Sequence, residues 1–217
     1  MITQAEYRQR LKGRPCYVGL DLSSTKDLTA LVGVFPDEDG FDVLPEFFVP
    51  AESIRDRSQR DRVPYDEWHR RGLLTATPGN SVDYEYVRQT IKDWGAEFDV
   101  QVIGADPWNA RDLVTRLSEQ DGFLCVEVRQ GFASLSAPSK SLERAILSRR
   151  LRHNHHPVLR WCVSNVALET DAAGNIKPSK SKSTERIDGV VALVMAIDQM
   201  DRHYHAAVPT YSVWVVG

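Results

Sequence analysis

Three aspartates in this chain share a setting suited to chemistry. Asp21 ends the apolar run 16–22 (CYVGLDL), Asp106 follows the apolar run 100–105 (VQVIGA), and Asp188 opens the apolar run 187–200 (IDGVVALVMAIDQM). A carboxylate at the end of a buried strand sits on the rim of a sheet, where functional groups converge. Three unpaired carboxylates brought close repel one another and raise each other's pKa, and a divalent cation removes that cost. Hard oxygen donors with no matching His or Cys set point to magnesium or manganese. Taken singly, each aspartate also reads as a turn or cap residue, and Asp188 suits a helix N-terminus in its own right. The reading of a site rests on the three together.

Other groups are weighed the same way. Lys177, Lys180 and Lys182 alternate with Ser and Pro in the segment 177–184 (KPSKSKST), directly before Asp188. This reads as a flexible basic loop able to track phosphates without reading bases, or simply as a solvated face. Asp27 is expected to cap the turn before the second strand, and Glu185 to pair with Lys182 or Arg186. The cluster His153, His155 and His156 has no spaced Cys or His partner, so it reads as a solvated loop rather than a zinc site. There is no GxxxxGK[ST], GxGxxG or GxSxG pattern, which excludes a P-loop, a dinucleotide fingerprint and a nucleophile elbow. Cys16, Cys125 and Cys162 are an odd set without CxxC, each in an apolar stretch, and read as reduced core thiols.

The elements that must hold these groups follow from periodicity. Strands are expected at 16–22, 28–35 and 41–49, the last two joined by the turn 36–40 (PDEDG), which makes an antiparallel three-strand meander. Pro45 weakens the third strand or puts it at an edge. The charged segment 51–71 is partly helical; a helix over 84–98 has Ser81 or Asp83 as its cap. A strand at 100–105, a helix at 109–119 capped by Asn109, and a strand at 123–128 follow. A basic amphipathic helix is expected at 139–152 with Leu142, Ile146 and Leu147 inward, and an apolar helix at 187–200. The fold class is α/β: a mixed central sheet, antiparallel meander plus parallel strands, flanked by helices. If the first and fourth strands are neighbours, Asp21 and Asp106 face each other.

A chain of 217 residues with 42% hydrophobic and 26% charged residues is an ordinary globular protein with room for one large domain. Its expected division is an N-terminal linker or helix at 1–15, a core domain at 16–201 and a tail at 202–217. No apolar run reaches the roughly 18 residues of a membrane span, and the polar start at 1–14 is no secretory signal. The net charge of −3 opposes a simple polyanion binder. The total hides an asymmetry. Between Lys140 and Arg186 ten basic residues face four acidic ones, a surplus of +6 that leaves −9 for the remainder.

Three blocks of this sequence, GLDLSSTKDLTALVGV, IGADPWN and HPVLRWCVSNVALETDAAGNIKPSKSKSTERIDGVVALVMAI, resemble the nuclease domain of tailed-bacteriophage terminase large subunits. The resemblance runs from about residue 16 to 200, and the last block is its most specific part. It implies an RNase H-like fold with a five-stranded mixed sheet. It implies an endonuclease using two divalent metal ions, Mg²⁺ or Mn²⁺, to cut concatemeric viral double-stranded DNA during genome packaging. The family's metal-binding aspartates fall on Asp21, Asp106 and Asp188, with Asp21, from the central strand, as the expected bridging ligand. The family's basic hairpin region near DNA falls on Asn165, Asn175, Lys177, Lys180 and Lys182, with Arg186 beside it; Lys180 or Lys182 is expected to hold the scissile strand or offset developing charge. The partners implied are DNA, an ATPase domain, a small terminase subunit and a portal, with no membrane, in the cytoplasm of an infected bacterial host. The chain departs from the family by carrying no Walker motif, which is expected of an isolated nuclease domain or a separate polypeptide. The competing readings are a RuvC-like junction resolvase, an actin- or sugar-kinase-like ATP-binding domain, and a non-catalytic DNA-binding module.

Overall fold

The computed structural model describes residues 2–23 and 28–204, the side chain of Asn109 excepted. Asp27 and the tail 205–217 therefore lie outside the described residues. The chain runs α1 (Gln4–Gln9), β1 (Pro15–Asp21), β2 (Thr29–Asp37), β3 (Gly40–Pro50), α2 (Ile54–Asp61), α3 (Tyr65–Arg70), β4 (Thr75–Thr77), α4 (Tyr84–Glu97), β5 (Asp99–Ala105) and α5 (Pro107–Glu119). It continues through β6 (Cys125–Glu127), α6 (Phe132–Leu147), β7 (Leu151–Arg152), α7 (Pro157–Asn165), β8 (Leu168–Thr170), β9 (Ile176–Pro178) and α8 (Asp188–His203).

The strand order is β4-β3-β2-β1-β5-β6, with β7 pairing β3, and β8–β9 form a separate antiparallel hairpin. β1, β2 and β3 are the antiparallel meander, while β5 joins β1 in parallel and β6 joins β5 in parallel. The five expected strands are all present. The additions are β4 and β7 in this sheet and the β8–β9 hairpin outside it, each strand two or three residues long and too short to show a period. Pro45 sits mid-strand and pairs Val32 on one side. On the other side β7 reaches only Phe41 and Asp42, and β4 only Phe48 to Pro50. Pro45 thus occupies a local edge, where its missing N–H costs no ladder bond.

The two faces of the sheet separate by parity. Cys16, Val18 and Leu20 face the core under α4 and α5, with Trp94, Ile91 and Leu113. Tyr17, Ala30, Val32 and Val34 face the core built around α8, α6 and α7. Every residue of α8 from Asp188 to Met200 is buried. A helix apolar all round must be enclosed on all sides, and the sheet, α6 and α7 enclose this one.

Several local expectations are corrected. α6 begins seven residues before the expected Ser139, with Pro138 inside it, and ends at Leu147. Leu142 is buried as expected, but Ile146 and Leu147 are 49% and 78% exposed; Leu135 and Ala145 are the other inward apolar side chains. Starting the helix after Pro138 dropped Leu135 and rotated the inferred face. α5 is capped by Asp106, whose side chain accepts from the Trp108 amide, with Pro107 in the first turn. Asn109 lies inside the helix instead. Asp83, rather than Ser81, caps α4. His156 is no solvated loop residue: it is 5% exposed, packs its ring on Phe47 and caps α7 through Nδ1, which accepts from the Leu159 amide. Burial, with His153 nearby, lowers its pKa to about 4. The segment 177–184 is not a free loop throughout, because Lys177 and Pro178 belong to β9. The three cysteines are free thiols, Cys16 and Cys162 buried and Cys125 half-buried.

Candidate active site

Strand parity and one glycine bring the first and third aspartates together. Tyr17 and Gly19 lie on the α8 face of β1, and Asp21 is the next residue of that parity. A Cβ on Gly19 would stand 1.9 Å from the Ala192 carbonyl oxygen and 2.7 Å from the Ala196 amide. Only glycine allows α8 to lie this close to β1. Asp188, Ala192 and Ala196 are spaced by four, so they share one stripe of the helix. The stripe that touches Gly19 therefore carries Asp188 toward Asp21, where β1 ends.

A lysine stands between the two carboxylates. Lys180 Nζ lies 2.8 Å from Asp21 Oδ2 and 2.8 Å from Asp188 Oδ1, to which it donates. Gln130 Nε2 donates to Asp21 Oδ1 at 3.2 Å. Asp21 and Asp188 are 2% and 1% exposed, whereas 39% of the lysine side chain remains open to solvent. Burial pushes the Asp21 carboxyl up to about 7; Lys180 works against this, and Asp188 adds to it. Burial opposes the charge on Lys180, but Asp21 and Asp188 outweigh it and raise its pKa. Among the described residues, the Lys180 ammonium thus faces both buried acids.

Asp106 is placed differently. β1 and β5 are parallel neighbours with Leu20 opposite Ala105, so Asp21 and Asp106 follow at adjacent strand ends. The Asp106 carboxylate, however, accepts from the Trp108 amide at 3.0 Å as the cap of α5. Among the described residues no group of three or more His, Cys, Asp or Glu side chains is gathered as a metal cage. Asp21 and Asp188 are brought together, and Asp106 stands beside them on the sheet rim. The pair supplies hard oxygen donors with a cation already held between them, and that donor chemistry fits Mg²⁺ or Mn²⁺.

The remaining predicted residues make internal contacts away from this pair. Lys177 pairs with Glu169 at 3.6 Å and lies over the Phe132 ring, and Lys182 pairs with Glu169 at 3.6 Å. Asn165 donates to the Arg186 carbonyl and accepts from Thr184. Arg186 pairs with Glu185 at 3.0 Å and with Asp61 at 3.6 Å. Asn175 is held by Asp171 in the β8–β9 turn. Glu169 and Glu185 already stand among the four acids of this segment, so of these pairs only Arg186–Asp61 draws on its +6 surplus. Gln130 lies outside the predicted set: it stands three residues past the end of β6, whereas Asp106 directly follows β5, so no strand-end position marks it.

Comparison with known proteins decides the family. The profile described as "Terminase large subunit, endonuclease domain" matches residues 5–203. This chain belongs to the terminase large subunit endonuclease-domain family. It is 43% identical over 187 residues to the terminase large subunit of Enterobacteria phage HK97, covering 85% of this chain and 37% of that protein. It is 31% identical over 200 residues to Protein YmfN of Escherichia coli strain K12, covering 87% of this chain and 44% of that protein. The crystal structure of the HK97 large terminase superposes with a TM-score of 0.79 at 39% identity, over 91% of this chain and 43% of that one. Two nuclease domains share the fold at low identity. The magnesium-bound large terminase nuclease of phage G20c has a TM-score of 0.57 at 11% identity, over 87% of this chain and 84% of that one. The manganese-bound nuclease domain of the phage SPP1 large terminase has a TM-score of 0.53 at 14% identity, over 93% and 92%. The terminase nuclease fold, RNase H-like with a mixed sheet between helical layers, is thus the fold of this chain. The chain spans about two-fifths of the length of these curated relatives.

Proposed function

We propose that this chain is the DNA-cutting part of a genome-packaging terminase: an endonuclease that hydrolyses phosphodiesters of concatemeric viral double-stranded DNA with two divalent ions, Mg²⁺ or Mn²⁺. The observation that carries the reading is the buried Asp21–Asp188 pair with the Lys180 ammonium between them, in a member of the terminase endonuclease family. Asp21 and Asp188 would hold the metal, with Asp106 as the third carboxylate from the adjacent strand end. When bound, such ions lower the pKa of a coordinated water and polarise phosphoryl oxygens.

The chain's own residues do the rest. Asp21 and Asp188 are fixed by β1 and the first turn of α8, so their oxygens do not search for position. Gln130 orients one Asp21 oxygen, leaving the other toward Lys180. Lys177, Lys182, Asn165 and Arg186 would meet the DNA backbone, and Lys180 would be the cation nearest the scissile phosphate. The ATPase domain, small subunit and portal belong to the proposed assembly, in the cytoplasm of an infected host. Among the described residues no helix is long and apolar enough to cross a membrane. Family membership leaves the kinase-like alternative without support.

The test is cleavage of supercoiled and linear plasmid in Mn²⁺ or Mg²⁺ by the wild type and by Asp188→Asn. The wild type should cut both plasmid forms, and the variant should fall to the no-enzyme background with an unchanged circular dichroism spectrum. Full cutting by the variant would sink the site. A marked preference for four-way junctions over linear duplex would move the substrate to that of a junction resolvase.

A further inference from the structure

The proposed function leaves one group with an unexplained position. Lys180 was expected to face DNA, yet its ammonium points inward and ion-pairs with both buried carboxylates. Resting on the nuclease reading, we propose that Lys180 is a resident counter-ion: it fills the cation position while the site is metal-free, and a divalent ion must displace it to bind.

Four observations support this. First, the charge balance requires a cation. Two carboxylates at 2% and 1% exposure lack the water that would otherwise stabilise them, and a buried pair of like charges is costly without a partner. Second, the ammonium lies at the same 2.8 Å from an oxygen of each acid, so it serves the pair and not one member. Third, the lysine is built to leave. Its side chain keeps 39% of its surface in solvent, so swinging outward exposes little apolar area and returns the ammonium to water. Fourth, the backbone beneath it is built to stay. The Ser179 amide donates to the Ala167 carbonyl, the Ser183 amide and hydroxyl both donate to the Ser179 carbonyl, and the Ala167 amide donates to the Ser183 hydroxyl. The turn is tied to the end of α7, so displacement is a side-chain rotation about a fixed Cα. The other lysines of this segment differ. Lys177 and Lys182 share Glu169, on the hairpin, and neither reaches the aspartates.

The exchange has a consequence for sequence of events. A freed Lys180 ammonium, anchored beside the pair, becomes available to a phosphate only when the metal has entered. Competition between the ammonium and the metal also lowers metal affinity, so the isolated site stays metal-poor at low metal concentration and still holds its shape.

Direct Mn²⁺ binding, read by electron paramagnetic resonance of the free ion, tests the exchange without reference to cleavage. Lys180→Met keeps the stem and removes the charge. It should bind Mn²⁺ at least tenfold more tightly than the wild type. Its melting temperature in EDTA should fall, and its gain on adding Mn²⁺ should exceed the wild-type gain. An unchanged or weaker Mn²⁺ affinity in a folded Lys180→Met overturns the proposal. A wild-type measurement covers the case in which that variant does not fold. Reductive methylation followed by peptide mass spectrometry should label Lys180 slowly in EDTA and several-fold faster in saturating Mg²⁺, with Lys182 as the exposed control. Equal labelling of Lys180 in both conditions overturns it as well. Failure here is distinguishable from failure of the nuclease reading. If Asp188→Asn abolishes metal binding and cleavage while Lys180→Met leaves affinity unchanged, the nuclease stands and the counter-ion role falls.

Discussion

Two buried aspartates mark opposite ends of β2, and their surroundings differ in kind. Asp42, opposite Phe35, is 7% exposed and receives four hydrogen bonds: from Tyr7 Oη, from Arg152 twice and from Arg14 at 2.8 Å. Burial alone would raise its pKa, but Arg152 and Arg14 outweigh it and hold the carboxyl below the usual range. Asp21, opposite Ala30, is more deeply buried and has one amide and one shared ammonium, with a second carboxylate beside it; its pKa goes up. The first cluster closes its own account and ties α1 and β7 to the sheet. In the second, among the described residues, two buried carboxylates share the Lys180 ammonium. A fully satisfied network rigidifies, whereas an undersupplied one is where a ligand adds most.

The largest effect expected is from Gly19→Ala, which attacks the packing that creates the undersupplied end. A Cβ at 1.9 Å from a backbone oxygen cannot be accommodated by side-chain motion, so α8 must shift off β1. The cost is about 3 kcal/mol or more, read by chemical denaturation, with Mn²⁺ affinity lost in whatever remains folded. Wild-type stability and affinity in this variant would show that close helix–strand contact is not what joins the two acids. Nothing comparable is expected around Asp42, which depends on long, adaptable arginines.

These two ends also differ in how readily the sequence disclosed them. Asp21, Asp106 and Asp188 stand out because each interrupts or borders an apolar run, and the meander is legible from its period and the PDEDG turn. The pairing of Asp21 with Asp188 is not legible, because it depends on Gly19 admitting α8, a contact between residues far apart in the chain. A basic, serine-rich stretch is normally solvated, so its sequence points to phosphate contact; only the fold shows which of three neighbouring lysines turns inward. The Asp42 network escaped altogether. Tyr7, Arg14, Asp42 and Arg152 come from four elements or their flanks, and no local pattern links them. The α6 start was hidden by Pro138, whose residue type argues against a helix interior.

The next effect separates the two aspartates by pH. A carboxyl whose folded pKa lies near 7, above its unfolded value of 3.8, binds its proton more tightly in the native state. Its ionisation therefore costs metal-free stability progressively as pH rises from about 4 to 7, and the loss is complete above that. Asp42 has the opposite sign: its depressed pKa contributes stability above the ordinary carboxylate range and loses it on acidification. Asp42→Asn should thus destabilise by about 2 kcal/mol at pH 7, because two arginines lose their charge partner, and by less at pH 4. Asp21→Asn should instead gain on the metal-free wild type as pH rises from 5 to 8. Melting temperatures in EDTA across that range decide it. A difference between Asp21→Asn and wild type that stays flat or shrinks with pH would mean that Asp21 is as well supplied with charge as Asp42.

The smallest effect is the one that sharpens the comparison most. Gln130→Leu removes the neutral donor to Asp21, a bond of 3.2 Å at a half-buried residue. A hydrogen bond to a charged acceptor contributes about 1.5–3 kcal/mol when well made, and this long one falls at the lower end. Because the Asp21 carboxyl is held near 7 in the metal-free state, losing the amide removes stabilisation from its charged form and moves its pKa further up. Folded stability at pH 5, where the carboxyl is mostly protonated, should hardly change. Mn²⁺ affinity at pH 7 should fall by a few-fold, since a larger fraction of the Asp21 carboxyl is then protonated, and should recover by pH 9. Tyr7→Phe is the matched change at Asp42, and it behaves in the reverse way. The Tyr7 hydroxyl shares its one proton between Asp42 and the Arg152 carbonyl, 2.8 Å away, and accepts from the Val43 amide at 3.2 Å, so its removal leaves backbone groups short of partners. It should lower stability at every pH and leave Mn²⁺ affinity untouched. Equal behaviour of the two variants, in either direction, would erase the distinction between a cluster that holds the fold and one that waits for a cation.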